Sequence, residues 1–361
     1  EEGAAPRLVR PSGGRPGALP GNSTGRSSSF VDKFIAVKKE LSQAHTPCGG
    51  MPKSFGPKFT DQKEPPVRTR VYPSKPGTVV PLNLAMKPEK VPTEHGRRGA
   101  RKATNKRSLK QGEQPLVDCL NNLGRCTPQS MRAALSLRGM REALSSSKRM
   151  LQKRYKSCAV VGNSGGMMHQ KYGQYIDKHD FVMRINALPM ERHIDHLGTK
   201  VNARVLSYKI SKDVCCIKKD YAADNKDLEY YIWFPAAQKQ VAARMKKTLK
   251  TNPVRIMSKP FLKSSVLSFK AFRGELLRLG YGPFEDWEYM TSGMHAAFGL
   301  IKSCDNVDLY GFTTDMNQKG PYWFTGRASP PRSGQTQHAW DHERMVLRLL
   351  HAAGAINVCT S

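Results

Sequence analysis

The sequence lacks any long apolar run. No stretch of about 18 consecutive apolar residues occurs among its 361 positions, so no segment of it is long enough to cross a bilayer as a hydrophobic helix. The chain begins with Glu1 rather than Met. We therefore expect a fragment or processed form that has lost an upstream signal or membrane anchor.

Acidic residues are scarce. Asp and Glu total 29 against 59 Lys and Arg, which gives a net charge of +30. Such an excess predicts attraction to polyanions, whether nucleic acid, anionic lipid or acidic glycans. The charge alone does not choose among them.

Metal-binding patterns are also missing. None of the eight cysteines lies in a paired CxxC spacing, which argues against a structural zinc site. The simplest interpretation of each cysteine is a buried free thiol. No pair of Asp residues of the DxD type stands at a predicted strand end, so nothing suggests a carboxylate-held metal for a nucleotide donor.

The chain divides at about residue 112. Residues 1–112 are rich in Pro, Gly and Ser and show no sustained period of 2 or 3.6 residues, which predicts a disordered basic stem. Apolar residues at helical spacing over 114–157 predict a helical cap. Strand and helix patterns then alternate to the end, so residues 113–361 are interpreted as one catalytic domain.

The most informative local pattern is Cys158-Ala-Val-Val-Gly-Asn-Ser-Gly165. It predicts a buried strand, a tight turn and a helix, with Gly162 and Gly165 letting the backbone N–H groups approach a phosphate. A second apolar strand, Asp180–Asn186, follows at the spacing of a βαβ unit. The predicted fold class is α/β: a Rossmann-like twisted parallel sheet with helices on both faces.

Four blocks in order resemble the sialyltransferase family. Cys158–Pro189 matches its large motif, and Thr291–Asp308 contains its small motif. Tyr322-Trp323 matches the third motif, and His338 with Glu343 matches the very small motif. The resemblance covers roughly residues 155 to 345, and four ordered matches are far more specific than one glycine-rich turn.

The resemblance implies a GT-A-like variant of this fold and an inverting glycosyl transfer. The donor would be CMP-sialic acid, the acceptor a galactosyl, GalNAc or sialyl glycan, and no metal or other cofactor would be required. The residues expected to bind the donor are Asn163, Ser164, Gly165, Asn186, Thr291, Ser292, Gly293, Tyr322 and Trp323.

Each of these assignments has a structural alternative. Thr291 and Ser292 could simply cap the helix that follows, although a helix start with free N–H groups also suits a donor carboxylate. Asn163 and Asn186 could serve only turn and strand-end hydrogen bonds. The Tyr322-Trp323 pair could be core packing.

His338 is the candidate catalytic base. It begins a predicted helix, where the positive end of the dipole disfavours imidazolium and leaves a neutral ring able to accept a proton. The matching family motif places the base here. The alternatives are a helix cap and, because His342 lies four residues on, a zinc site. Glu343 is expected to be structural rather than catalytic.

Two positions depart from the family pattern. Pro321 stands where some members have a histidine before the aromatic pair, so no histidine at this position is available for phosphate contact. Leu188 stands where Ala directly before Pro189 is usual, so the donor pocket is expected to depart from the family shape here.

The resemblance also implies a disulfide between Cys158 and Cys304, and therefore an oxidising compartment. The full-length protein is then expected in the Golgi lumen as a type II membrane protein, attached only through an anchor absent from this chain. We also expect Cys359 to pair with Cys119 or Cys126. The adjacent Cys215 and Cys216 are expected not to bond each other.

Two other functions remain open. A related transferase could use another CMP-linked acidic keto-sugar, such as Kdo, or could have lost its activity. A non-catalytic polyanion- or RNA-binding α/β module would also explain the charge, but it predicts exposed aromatic strands, and Tyr230–Phe234 has a buried pattern. We expect no nucleic-acid partner.

Overall fold

The structure is a computed structural model. It describes residues 29–44, 46–52, 109–145, 149–217, 220, 225–234, 238–284, 290–316, 323–324 and 338–360.

The centre of the fold is a sheet of seven parallel strands in the order β5-β4-β3-β2-β1-β6-β7. The inner strands are rich in Val, Ile and Leu and almost wholly buried, as parallel strands covered on both faces require. Their bounds are β1 Tyr155–Val161, β2 Phe181–Ile185, β3 Ala203–Leu206, β4 Glu229–Ile232, β5 Val254–Ile256, β6 Cys304–Tyr310 and β7 Asn357–Val358.

The order of the strands reverses between β1 and β6. Strands β2 to β5 extend to one side of β1, whereas β6 and β7 lie on the other. Ligands of open α/β sheets bind beyond the carboxyl ends of the strands at such a switch point. The topology therefore directs attention to the segments that follow β1 and β6.

Eleven α-helices occur in the described residues. They are α1 Phe30–Ala44, α2 Gln114–Asn121, α3 Pro128–Ser136, α4 Met140–Leu144, α5 Gly173–Ile176, α6 Ile194–Leu197, α7 Tyr208–Cys216, α8 Gln238–Leu249, α9 Lys259–Arg278, α10 Ser292–Ile301 and α11 Trp340–Ala352. The helices cover both faces of the sheet, so apolar residues form a large core on one face and a smaller one on the other. No described helix is long and apolar enough to cross a membrane.

Helix α10 is buried on every side. All ten of its residues are buried, and it packs against β1, β2 and β3. Its sequence is apolar around the whole circumference, as a helix enclosed by the core requires. A helix so enclosed holds its first residues rigidly at the carboxyl edge of the sheet.

The predicted fold class is confirmed, and the differences are local. Strands β1 to β6 lie where the pattern predicts them, but the two-residue strand β7 was not predicted. Its residues are too few for a period-2 pattern. The turn after β1 leads into a 3₁₀ turn, Gly165–Met168, rather than directly into an α-helix.

The predicted stem differs from the structure in two segments. Helix α1 packs Val31, Phe34 and Ile35 against the main core, and the turn Pro47–Gly50 lies against β6, β7 and α5. Both belong to the folded domain. A single helix flanked by Pro-rich sequence is too weak a signal to separate it from a stem. The rest of the predicted stem up to residue 108 lies outside the described residues.

All eight cysteines are in disulfides. The predicted Cys158–Cys304 bond is confirmed, with a sulfur separation of 1.99 Å, because β1 and β6 are neighbouring strands. The prediction that the cysteines are free thiols is therefore wrong. The other three bonds are Cys48–Cys359, Cys119–Cys126 and Cys215–Cys216.

Two of these bonds correct the sequence predictions. Cys359 pairs with Cys48 rather than with the helical cap, since the turn containing Cys48 lies against β7. The cap cysteines instead pair with each other across the short turn after α2. The prediction that Cys215 and Cys216 stay apart is also wrong, and their bond closes the end of α7.

Removal of the Cys158–Cys304 bond should strongly destabilise the domain. The bond joins residues 146 positions apart, so the double replacement Cys158→Ala/Cys304→Ala should lower the free energy of unfolding by roughly 2–5 kcal/mol. Replacing Cys119 and Cys126 by Ala opens a loop of separation 7 and should cost less. Urea denaturation under non-reducing conditions measures both losses. Equal losses would contradict the loop-length argument.

Candidate active site

The segments after β1 and β6 meet backbone to backbone. A Cβ atom added to Gly162 would lie 2.6 Å from the carbonyl oxygen of Gly311, and Gly311 itself has a φ of +72°. Packing between the two strand ends thus requires both glycines. The prediction that Gly162 admits a ligand is therefore corrected: its missing side chain admits the β6 turn.

Phe312 joins this meeting point to the start of α10. One edge of its ring would lie 3.3 Å from a Cβ on Gly162, and another edge 2.9 Å from a Cβ on Gly293. The turn that carries Asn163 and the first turn of α10 therefore pack against the same aromatic ring. Two segments about 130 residues apart in the chain form one end of the molecule, as the parallel-sheet interpretation requires.

The two asparagines stand at neighbouring strand ends. Asn163 follows β1 and its Nδ2 donates to the carbonyl of Ile185 at 3.0 Å. Asn186 follows β2 in the left-handed region, with a φ of 60°, and its Oδ1 accepts the N–H of Ser207 at 3.0 Å. Each side chain thus ties one strand end to the next, which orients both amides at the carboxyl edge.

Ser164 and Gly165 begin the 3₁₀ turn after Asn163. The Ser164 hydroxyl accepts the N–H of Gly166 at 3.2 Å, and Gly165 is buried. Ser164 thus caps the turn in the manner expected of a serine before a helical segment. The structure places both residues directly beside Asn163.

Thr291 caps α10 and is itself held by a buried carboxylate. Its Oγ1 accepts the N–H of Met294 at 3.2 Å, while its own N–H and hydroxyl each donate to Glu343 at 2.7 Å. Burial raises the pKa of Glu343 to about 7, against the opposing effect of the Thr291 hydrogen bonds. Glu343 therefore fixes the start of α11 to the start of α10.

Trp233 was not among the residues predicted for the site. It lies just beyond the carboxyl end of β4, where its indole N–H donates to the Ser292 hydroxyl at 2.8 Å. Its ring stacks on the ring of His295 with centroids 4.5 Å apart. A tryptophan just after a strand is a recognisable signal, but only the fold shows which helix it reaches.

His295 is a buried neutral imidazole on the first turn of α10. It is 4% exposed, and burial, with a smaller electrostatic contribution from His338, lowers its pKa to about 3. This interaction places His338 near α10. The sequence-based prediction named Thr291–Gly293 as site residues but not His295, which lies two positions further along the chain.

His338 and His342 occupy different environments. His338 is partly buried and lies two residues before α11, which begins at Trp340 rather than at His338 as predicted. Its ring makes an edge contact with Trp340, with centroids 5.5 Å apart. His342 is fully buried against Phe269 and Phe284, and burial lowers its pKa well below the usual value.

The described residues contain one group of three potential metal ligands close together, formed by Cys48, Asp308 and Cys359. The two sulfurs of that group are joined in a disulfide. His338 and His342 are not in such a group, and the apolar contacts of His342 provide no further ligand.

The third motif is only partly described. Tyr322 lies outside the described residues. Trp323 is partly exposed, whereas Phe324 is buried and its N–H donates to the carbonyl of Asn163 at 2.8 Å. This bond brings the third motif to the first. A small cavity beside Asn163 is lined in part by Phe324 and by Leu188, the bulky residue that departs from the family pattern.

Residues 104–355 match the family model described as Glycosyltransferase family 29 (sialyltransferase). The chain belongs to this family. The match covers more than half of the chain and contains every candidate site residue described above. The family resemblance seen in the four motifs is thereby confirmed.

Relatives in the family carry different names. The chain is similar to "Sialyltransferase-like protein 5" of Oryza sativa, with 29% identity covering 57% of this chain and 36% of that protein. It is similar to "CMP-N-acetylneuraminate-beta-galactosamide-alpha-2,3-sialyltransferase 1" of Sus scrofa, with 28% identity covering 58% and 60%. It is also similar to "Beta-1,6-galactosyltransferase GALT29A" of Arabidopsis thaliana, with 30% identity covering 44% and 43%.

These matches span about a third to three fifths of the relatives' own lengths. Among solved structures, the chain is similar to a mammalian sialyltransferase at 19% identity and a TM-score of 0.39, covering 70% of this chain and 86% of that one.

Proposed function

We propose that this member of glycosyltransferase family 29 is an inverting enzyme that transfers sialic acid from CMP-sialic acid to a glycan hydroxyl. One observation carries the proposal. The Asn163 turn and the start of α10 converge on the ring of Phe312, and Glu343 ties α11, which follows His338, to that same start. Motifs far apart in sequence therefore share one end of the sheet.

The proposed donor site uses the polar groups of this convergence. Amides at Asn163 and Asn186 and the turn at Ser164 and Gly165 would hold the phosphate and ribose. The first N–H groups of α10, with Thr291–Gly293, would receive the donor carboxylate, because a helix N-terminus favours a negative charge.

His338 would act as the base. In a direct displacement, the acceptor oxygen forms a bond to the anomeric carbon while the bond from that carbon to the phosphate oxygen breaks. CMP leaves from the opposite face, so the configuration inverts. The acceptor proton passes to the His338 imidazole. Basic groups and the helix terminus would stabilise the departing phosphate without a metal.

The names of the relatives favour a second candidate donor. The Arabidopsis relative is named as a β-1,6-galactosyltransferase, which makes galactosyl transfer a specific alternative to sialyl transfer. A CMP-linked keto-sugar such as Kdo is a third. We propose the Golgi lumen as the compartment, supported by the four disulfides, which form in oxidising environments.

A donor comparison tests the proposal. CMP-sialic acid, CMP-Kdo and UDP-galactose would each be supplied with galactosyl and sialyl acceptors, and release of CMP or UDP would be measured. We expect product from CMP-sialic acid and none from UDP-galactose, since the start of α10 suits a carboxylate that galactose lacks. Kdo carries such a carboxylate as well, so product from CMP-Kdo alone would select the third candidate. Product from UDP-galactose alone would show that the donor is UDP-galactose and not CMP-sialic acid.

A further inference from the structure

Five exposed lysines stand around one side of the candidate site. Helices α7, α8 and α9 follow β3, β4 and β5, so all three begin at the carboxyl edge of the parallel sheet. Their first five residues carry all five lysines. These are Lys209, Lys212, Lys239, Lys259 and Lys263, here named the lysine rim.

The charge of the rim is uncompensated at the helix starts. None of these three helices has an acidic residue in its first turn, although Asp and Glu are the residues that a helix N-terminus stabilises. Within the described part of the chain, none of the five lysines forms an ion pair. Each of these lysines adds positive charge at a helix end that is already positive, and an anion bound there would offset that charge.

An exposed aromatic ring lies within the rim. Tyr208 is 41% exposed. Its ring packs edge-on against Phe234 at 4.7 Å between centroids, and the Lys212 ammonium lies 4.5 Å from its centre. A tyrosine of this kind can contact the C–H face of a sugar ring, while the ammonium beside it can bind an anionic substituent.

This aromatic pair lies between two parts of the candidate donor site. Ser207, which precedes Tyr208, donates its N–H to Asn186. Trp233, which precedes Phe234, donates to Ser292 at the start of α10. Tyr208 and Lys212 therefore lie beside the candidate donor site.

We propose that the lysine rim and Tyr208 form an acceptor subsite for an acidic glycan. The acceptor would carry carboxylate or sulfate groups on sugars near the hydroxyl that is modified. This inference rests on the proposed function, because it assigns the rim to the acceptor of that same site. A glycan is favoured over a membrane or a nucleic acid because Lys212 and the exposed ring of Tyr208 lie beside the proposed donor site, and an acceptor hydroxyl must lie beside the donor for transfer.

Direct binding tests the subsite without requiring transfer. Calorimetry would compare a neutral galactosyl oligosaccharide with the same oligosaccharide bearing a uronic acid. We expect the acidic form to bind about tenfold more tightly at low ionic strength, and the preference to shrink in about 0.15 M salt because the rim is exposed. Equal affinity for the two forms would overturn the proposal.

Charge variants locate the effect. Replacing Lys209 and Lys212 together by Ala should raise the KM for an acidic acceptor about fivefold to tenfold, and the KM for its neutral counterpart less than twofold. Tyr208→Ala should raise both, because stacking does not depend on charge. The matched control replaces Lys246 and Lys247 by Ala. These exposed residues lie in the last turn of α8, at the opposite edge of the sheet, and their loss should leave both KM values unchanged.

The outcomes separate the two proposals. An equal loss in the control pair would show a non-specific charge effect and overturn the subsite. Loss of binding to anionic vesicles, with no change in glycan binding, would assign the rim to a membrane and overturn it too. If the acidic glycan binds through Lys209 and Lys212 but no donor releases CMP, the proposed transferase activity fails while the subsite stands.

Discussion

Replacing His338 by Ala should lower turnover of CMP-sialic acid by roughly 10²–10⁴-fold, the usual contribution of a general base. His338 lies before α11 and only partly buried, so the fold should survive the change. CMP binding should be largely retained, because the proposed donor-binding groups lie on other elements. Single-turnover kinetics would measure the loss, and calorimetry with CMP would measure binding. Near-normal transfer by this variant would exclude His338 as the base.

His342 provides the control for the zinc alternative. Its ring is buried against Phe269 and Phe284, and neither ring nitrogen has a hydrogen-bond partner in the described structure. Leucine suits such surroundings, so His342→Leu should keep near-normal activity and equal or higher stability. Under the zinc alternative the same change would be as damaging as His338→Ala. Activity lost to a chelator and restored by zinc would also favour that alternative.

The sheet was predictable because its strands carry their own signal. Val160, Val161 and their counterparts in β2 to β6 form short apolar runs between turns and helices, and such runs indicate a buried parallel sheet. Strand β7 has two residues and its position depends on pairing with β6. The partner of Cys359 depends on the same pairing, so neither could be predicted from local pattern.

The residues of the candidate site were predictable only where they belong to a recognisable sequence motif. Asn163, Thr291 and His338 were selected from recognisable blocks, whereas Trp233 stands in none and His295 was not selected from its block. Trp233 reaches Ser292 across 59 positions of sequence, and such a contact exists only once β4 and α10 are packed. The lysine rim could not be predicted from the sequence for the same reason, since only the parallel topology brings the starts of three helices to one edge of the sheet.

Glu343 should make the stability of the domain depend on pH near neutrality. Burial outweighs its hydrogen bonds to Thr291 and raises its folded-state pKa to about 7 from an ordinary value of 4.5. The folded protein therefore holds this proton more tightly than the unfolded chain. The resulting stability is fully present below about pH 4.5 and is lost as the pH rises through 7. The loss is roughly 3 kcal/mol for a shift of this size.

The variant Glu343→Gln isolates this effect, because its amide stays neutral while its carbonyl oxygen can still accept the Thr291 N–H. Its free energy of unfolding relative to the native protein should rise by roughly 3 kcal/mol between pH 4.5 and pH 8, measured by urea denaturation.

Glu113→Gln is the matched control. Arg278 lowers the pKa of Glu113 through two 2.7 Å hydrogen bonds, so the stability that this carboxylate adds is present above its unfolded pKa and is lost only as the pH falls towards its folded value. The Glu113→Gln difference should therefore stay flat from about pH 5.5 to 8. A flat difference for Glu343→Gln as well would mean that Glu343 titrates at its ordinary pKa and that burial does not govern it.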